Sequence, residues 1–415
     1  MAASVKIIDH NNEGSRVTLK VQVLGDDGRY IENLNNKREF KIQTTNGQKP
    51  VDPSTIEFIL VPPERQSNPD PVYATILLDM SGSMRHHDWG QIKTQKLKGA
   101  IQAIEKFIEA ARQENIPIKI SLVPFGYRGK SNCDSLYEVS EESIEKDSPF
   151  FEVTNNTLTS KLKELSSVPV CASTNLYKPL LAAKSHLNKQ LEQVPINLSQ
   201  ENKPQPRLAV ILLSDGYDRT SEAQFRELTS LLQQAQVTVN TLSYGESLSH
   251  LRDRAVCTRF IPDDQLTPDK VSHFCSLPNQ DINEFIIDEG KLERLARETG
   301  GHYYPSSDVG EVTKNLINVL TSWRYYQLVY RQPGADRGSL HYTSVEVNSQ
   351  TRNINATSNE VDIRLCERGC YPPSWQERLL IFIFIALLSS IGIFSFRKWS
   401  KKLKADAEKG VWETS

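Results

Sequence analysis

Two acidic residues each follow a short, uninterrupted apolar segment of the chain. Asp79 comes directly after the apolar segment 72–78, and Asp215 comes after the apolar segment 208–213 and one serine. Segments of this kind are typical of parallel strands that are covered on both faces. Because open α/β sheets hold ligands beyond the carboxyl ends of such strands, the two carboxylates predict a ligand-binding crevice at one rim of a sheet.

Three hydroxyl side chains accompany the two acids. Ser81 and Ser83 continue the string Asp-Met-Ser-Gly-Ser that begins at Asp79, and Thr174 lies at a predicted junction between a loop and a helix. Taken alone, a serine or threonine at such a place is equally well explained as the N-cap of a helix. The five residues lie in order on elements that would bring them to the same rim, and this joint placement favours a shared site.

The elements that must position these residues alternate between strands and helices. Hydrophobic patterning predicts strands at 72–78, 118–123, 208–213 and 237–242, and helices at 97–111, 176–191, 222–234, 292–299 and 312–320. Alternation over about 250 residues predicts an α/β fold with a doubly wound, mostly parallel sheet. Two long stretches, near 129–156 and 246–288, interrupt the alternation, and loops of that length are usually functional or disordered.

The five residues form a pattern that is known from one protein family. The string Asp79-x-Ser81-x-Ser83, the later isolated Thr174 and the terminal Asp215 resemble the von Willebrand factor type A (VWA) domain with an intact metal-ion-dependent adhesion site (MIDAS). The sequence LERLARETGGHYY, near the end of the α/β region, is similar to the last helix and strand of that family. The resemblance covers about 72–321.

This resemblance implies a site for a divalent cation. Asp79, Ser81 and Ser83 would be ligands from the strand and its loop, Thr174 a ligand from a second loop, and Asp215 an acid that acts through water. Uncharged hydroxyls combined with carboxylates suit a hard cation such as Mg²⁺, with Mn²⁺ or Ca²⁺ as alternatives. Neutral ligands leave the cation electrophilic, so an Asp or Glu carboxylate of a partner protein could occupy one coordination position.

Short segments with alternating apolar residues flank the α/β region on both sides. Neither flank has enough predicted strands for a stable sheet of its own. We therefore expect the α/β domain to be inserted in, or flanked by, one β-sandwich that both flanks build together. The predicted divisions are 1–61 and 324–366 for the sandwich, 72–321 for the VWA domain, 379–396 for a transmembrane helix and 397–415 for a basic tail.

The segment 379–396 contains no charged residue. As a helix it would be about 27 Å long, which just spans the hydrocarbon core of a bilayer. The alternative is a buried core helix, but such helices seldom lack a polar face over five turns. The segment therefore predicts a single-pass membrane protein.

Two signals disagree about which face of the membrane carries the VWA domain. The tail after the apolar segment is rich in Lys and Arg, which favours a cytoplasmic tail and an external N-terminal part. The first residues of the chain contain no apolar segment typical of a secretory signal, which favours the opposite placement. Both placements stay open.

Composition restricts the class of partner. The 49 Lys and Arg residues nearly balance the 51 Asp and Glu residues, and the net charge of −2 gives no field that would attract nucleic acid. The six cysteines include no C-x-x-C pair, which disfavours a structural zinc site. Their even number is compatible with disulfides, for which Cys257 with Cys275 and Cys366 with Cys370 are candidates, and equally with free thiols.

Three functions are compatible with these features. The leading hypothesis is a membrane-anchored, cation-dependent protein-binding module for adhesion or scaffolding, and it is not an enzyme. The alternative is an adaptor subunit that docks an ATPase or chaperone assembly. A metal-dependent hydrolase is a minor alternative, because the predicted site has no adjacent general base. His86, His87 and Asp88 follow the string but match no triad signature, and we interpret them as a solvated loop.

Overall fold

The strands in the described part of the chain come in three groups along the sequence. The computed structural model describes residues 3–67, 69–85, 87–88, 94–114, 116–126, 137–168, 170, 172, 174–192, 206–214, 221–245, 262, 270, 287–336, 338–365 and 375–412. Asp215, His86, all six cysteines and nearly all of the stretch 246–288 lie outside these residues.

In the described residues the strands are β1 (Ser4–Glu13), β2 (Arg16–Leu24), β3 (Phe40–Asn46), β4 (Lys49–Pro50), β5 (Phe58–Val61), β6 (Val72–Asp79), β7 (Ile118–Phe125), β8 (Phe151–Glu152), β9 (Arg207–Ser214), β10 (Val237–Ser243), β11 (Tyr303–Tyr304), β12 (Tyr326–Arg331), β13 (Leu340–Ser349), β14 (Ile354–Thr357) and β15 (Val361–Arg364). The α-helices of the same residues are α1 (Lys96–Gln113), α2 (Glu141–Asp147), α3 (Asn156–Leu165), α4 (Tyr177–Glu192), α5 (Glu222–Gln234), α6 (Glu289–Glu298), α7 (Val309–Ser322) and α8 (Trp375–Trp412).

The middle group of strands forms a six-stranded sheet in the order β11-β10-β9-β6-β7-β8. Its strands are parallel except for the edge strand β8, which is antiparallel to β7. Counted from β6, this order is 3-2-1-4-5-6, the order of doubly wound folds that bind ligands where the strand order reverses. The point of reversal lies between β6 and β9, the two strands that the apolar segments predicted.

Helices cover both faces of this sheet because successive side chains of a strand point to opposite faces. Ile76 and Leu78 of β6 pack in one core with residues of α1, α3 and α7. Leu77 packs on the other face in a second core with residues of α4, α5 and α6. The mixed α/β class is therefore confirmed.

The first and last groups of strands pair with each other. One sheet has the order β1-β2-β12-β5, and a second has the order β14-β13-β3-β4 with β15 paired to β13. Side chains of both sheets share one core, in which Leu19 and Ile42 from the first group meet Leu328 and Val345 from the last. The boundaries that divide the chain into domains stay a prediction.

Some elements were not expected from the sequence. The strand β1 was missed because its second half is polar, yet it pairs along its length with β2. The stretch near 129–156 was expected to be a loop, but its described part contains α2 and β8 and leads into α3. A capping box at Ser140 begins α2, which is a short-range signal that the sequence did contain.

A cluster of charges joins the sandwich strands to the α/β sheet, just before β6 begins. The side chain of Asp70 is buried and accepts a hydrogen bond of 2.7 Å from the ammonium group of Lys20 in β2. The guanidinium of Arg207, at the start of β9, lies 3.7 Å from Asp70 and stacks over the ring of Tyr325 at 4.6 Å. We call Lys20, Asp70, Arg207 and Tyr325 the junction cluster. Burial alone would lower the pKa of Lys20, but its bonds to Asp70 and Asp9 raise that pKa above its ordinary value.

The helix α8 begins one turn before the predicted apolar segment 379–396 and continues 16 residues beyond it. Its part Arg378–Ala405 has a mean hydropathy of 2.7 in its most apolar window, and no residue of that window is buried. By length and composition it is the one candidate membrane span in the described residues.

Candidate functional site

The candidate site begins at Asp79, the last residue of β6. Its carboxylate is fully buried. One oxygen, Oδ1, accepts a hydrogen bond of 2.8 Å from the backbone N–H of Ser81. The other, Oδ2, accepts bonds from the hydroxyls of Ser214 at 2.5 Å and Thr174 at 3.1 Å. The carboxylate is thus held between three segments of the chain that are far apart in sequence.

The two serines of the string lie on a tight turn. A 3-10 helix at Gly82–Arg85 follows β6, and it places the hydroxyls of Ser81 and Ser83 within 2.9 Å of each other. Met80, the residue between Asp79 and Ser81, is fully buried, and its N–H donates to the carbonyl oxygen of Phe125 in β7. The turn is therefore fixed to the neighbouring strand.

Backbone bonds bring the loop of Thr174 to this turn. Ala172 forms a parallel bridge with Ser81, and the N–H of Gly82 donates to the carbonyl oxygen of Ala172 at 3.0 Å. In return the N–H of Ala172 donates to the carbonyl oxygen of Met80 at 3.2 Å. The threonine two residues later is positioned by the main chain and then donates its hydroxyl proton to Asp79.

The structure brings together four of the five predicted site residues: Asp79, Ser81, Ser83 and Thr174. All four are buried, with exposed fractions of 0%, 4%, 4% and 7%. The fifth, Asp215, lies outside the described residues, although its neighbour Ser214 ends β9 and bonds to Asp79. Ser214 is the serine between the apolar segment 208–213 and Asp215, and the sequence alone indicated no role for it.

The oxygen atoms of this site have the character of cation ligands. When a hydroxyl donates its proton to a carboxylate, its lone pairs remain available to a hard cation. This holds for Thr174 and for Ser214, whose protons point to Asp79. Among the described residues there is no group of three or more His, Cys, Asp and Glu side chains that could hold a metal. The side-chain oxygens that bond to Asp79 there are hydroxyl oxygens.

Asp88 corrects one expectation. The sequence predicted that it lies in a solvated loop, but only 2% of it is exposed. Its carboxylate accepts hydrogen bonds from the N–H of Thr94 at 2.8 Å, the hydroxyl of Tyr244 at 2.8 Å and the N–H of Val309 at 3.1 Å. These donors satisfy the buried charge and connect the loop after the candidate site to the end of β10 and the beginning of α7. His87, in contrast, is exposed as predicted.

No family model matches the sequence, and no curated protein matches it. Similar solved structures include the pilus adhesin SpaC from Lactobacillus rhamnosus GG in its open conformation, at 10% identity and a TM-score of 0.39. The matched region covers 87% of this chain and 47% of the adhesin. The VWA domain of SpRpn10 is 15% identical with a TM-score of 0.31, and covers 52% of this chain and 99% of its own. Proximal thread matrix protein 1 from the mussel byssus, with a zinc-occupied MIDAS motif, is 11% identical with a TM-score of 0.32, and covers 66% of this chain and 50% of its own. The strand order β11-β10-β9-β6-β7-β8 defines the fold of the central sheet independently of these weak similarities.

Proposed function

We propose that the protein is a membrane-anchored module that binds an acidic group of a partner protein through a divalent cation, in adhesion or scaffolding. The observation that supports this most directly is the convergence of hydroxyl groups on the buried Asp79, at the end of β6. That end lies beside the point where the strand order of the sheet reverses, which is where doubly wound folds bind ligands.

In this proposal Asp79, Ser81, Ser83 and Thr174 hold the cation, with Asp215 acting through water. The residues present fit Mg²⁺ because their donor atoms are oxygens, and Mn²⁺ or Ca²⁺ accept the same atoms. A bound cation supplies an electrophilic coordination position for a carboxylate of the partner. The chain itself contributes orientation, since Ser214 and the N–H of Ser81 fix the two oxygens of Asp79.

Membrane anchoring in this proposal relies on α8. The part Arg378–Ala405 is long and apolar enough to cross a bilayer, and its apolar side chains are exposed. Whether the VWA-like domain lies outside or inside the cell is decided by protease treatment of intact cells, because only an external domain is cleaved there.

Titration calorimetry with Mg²⁺ alone tests the cation site in the detergent-solubilised full chain. We expect one binding event in the wild type, none in Asp79→Ala and a strongly weakened one in Ser83→Ala. Glu57→Gln is the control, because it removes one acidic charge at an exposed position of the sandwich. Equal Mg²⁺ affinity in the wild type and in both site variants would refute the site. Ser83→Ala guards against misfolding, since it leaves the buried carboxylate of Asp79 in place.

A peptide array tests the class of partner. Peptides that bind the full chain should require Asp or Glu, lose binding when that acid becomes Asn or Gln, and lose it again in EDTA. Binding that persists in EDTA would contradict a cation-mediated contact. A co-purifying ATPase would favour the adaptor function instead, and turnover of a phosphate or peptide substrate would favour a hydrolase.

A further inference from the structure

Beyond its apolar segment, α8 continues as a helix through a run of cations. The residues 397–404 contain five Lys and Arg side chains and no acid. The first acids after the apolar segment come later, at Asp406 and Glu408. We call the five cations the basic collar: Arg397, Lys398, Lys401, Lys402 and Lys404. All five are exposed.

The position of the basic collar along the helix matches the depth of lipid headgroups. With a rise of about 1.5 Å per residue, 397–404 lie roughly 1.5 to 12 Å beyond the apolar segment. The headgroup layer on each side of a bilayer is about 5–7 Å thick. One Debye length of about 8 Å extends beyond that layer at physiological salt. All five cations therefore lie in the headgroup layer or within one Debye length of it, whereas the first acids lie roughly 15 Å or more from the apolar segment.

The collar is also confined to one side of the helix. At about 100° per residue the five cations occupy an arc of about 160°. The opposite side carries Trp399 and Leu403, which are 58% and 47% exposed. The ring of Trp399 lies 5.9 Å from the ring of Phe396 at the end of the apolar segment. Tryptophan is enriched at the level of the headgroups, and a basic amphipathic helix is typical of a membrane surface.

We propose that the basic collar binds the phosphate groups of anionic phospholipids in the leaflet on the side of the tail. The inference rests on the membrane anchoring proposed above. It goes beyond the positive-inside preference, which requires only an excess of cations near the end of a span and neither one helix face nor one depth. Lipid is favoured over an acidic protein because the cations begin inside the headgroup layer, where phosphates are already present in the bilayer.

Reconstitution of the full chain in phosphatidylcholine bilayers with a minor fraction of phosphatidylglycerol tests the collar. Electron paramagnetic resonance of spin-labelled lipids then measures how strongly each lipid associates with the protein. A cation near an anionic surface contributes about five-fold in affinity, so we expect the wild type to prefer phosphatidylglycerol by five-fold or more. The preference should fall to about one in the variant R397Q, K398Q, K401Q, K402Q and K404Q, which removes all five cations, and the preference of the wild type should weaken as salt is raised.

Lys409→Gln is the matched control, since it removes a cation of the same tail roughly 20 Å beyond the apolar segment, past the headgroup layer and one Debye length, and it should keep the preference. Inorganic phosphate at the same ionic strength should displace phosphatidylglycerol no better than chloride does. Equal association of both lipids with the wild type, or an unchanged preference in the variant that lacks all five cations, would overturn the proposal. So would a tail that captures RNA or an acidic protein while its lipid preference stays at one.

Carbonate extraction separates this inference from the proposed function. A chain that stays in the membrane but shows no lipid preference refutes the collar and leaves the proposed anchor in place. A chain that carbonate releases refutes the anchor and the collar together, while the calorimetry of the cation site remains an independent result.

Discussion

Two buried aspartates lie at opposite ends of the strand β6 and have different surroundings. Asp70, just before the strand, contacts the full positive charges of Lys20 and Arg207. Asp79, at its carboxyl end, accepts bonds from hydroxyl groups and a backbone N–H. A buried carboxylate that is paired with Lys and Arg holds the segments that carry these residues together. A carboxylate that is oriented by neutral hydroxyl and N–H groups is suited to share its oxygens with a metal. The same residue type therefore serves assembly at one end and, in our proposal, binding at the other.

The largest expected effect lies at the assembly end. Asp70→Asn removes one partner of a buried charge cluster and leaves the cations of Lys20 and Arg207 in place, so we expect it to lower the free energy of unfolding by about 3–5 kcal/mol. Urea denaturation measures this change. The exposed Glu57→Gln removes the same charge and should change the free energy by less than about 0.5 kcal/mol. Similar losses in both variants would mean that the junction cluster has no special role.

The next effect concerns the binding end. Mg²⁺ at a hundred times its dissociation constant should raise the stability of the wild type by about 2.7 kcal/mol, because only the folded state presents the site. Asp79→Asn should abolish this gain, while Asp70→Asn should keep it despite its lower starting stability. Thermal melts with Mg²⁺ and with EDTA measure both. A gain that is lost in Asp70→Asn and kept in Asp79→Asn would reverse the comparison.

A smaller effect on Mg²⁺ affinity is expected at Ser214, which orients Asp79 but is not one of the proposed ligands. Ser214→Ala removes a hydrogen bond to Asp79 but none of the proposed ligands, and we expect the affinity for Mg²⁺ to fall about ten-fold. Thr75→Val is the matched control, because its hydroxyl is buried in β6, the strand of Asp79, and has no hydrogen-bond partner among the described residues. Calorimetry should find its affinity unchanged. A loss as complete as in Asp79→Ala would identify Ser214 as a ligand itself.

The smallest effect is a pH dependence away from both aspartates. His186 is buried against the ring of Phe150, 4.5 Å away, and burial lowers its pKa. Its unfolded form binds protons more readily, so stability should be complete above about pH 6.5 and decline as the pH falls below that value. His186→Leu should flatten part of this decline in urea titrations between pH 5 and pH 7. Burial also lowers the pKa of His302, so this residue should still contribute the rest of the loss of stability at low pH in the variant. An unchanged decline in the variant would assign the acid sensitivity to other groups.

The sequence predicted the parts of the site that depend on local pattern. Apolar segments located β6 and β9, and the string after Asp79 located the turn with Ser81 and Ser83. Contacts between distant segments had no such signal. The burial of Asp88 depends on Tyr244 and Val309, which lie 156 and 221 residues away. Asp70 lies between the predicted segments 1–61 and 72–321, where no element was predicted, and its buried position results from cations supplied by β2 and β9.

The central position of β12 has a consequence for how the chain folds. This strand lies between β2 and β5 in its sheet, so the two earlier strands cannot complete their pairing until the later one exists. Between Val61 and Tyr326 a ribosome must add about 260 residues, which takes roughly 13 to 50 s at typical rates of synthesis. During that interval the edges of β2 and β5 are open to wrong partners, and the α/β region has time to fold first. Late closure of this sheet makes newly made chains most prone to aggregation before residue 331 has been added.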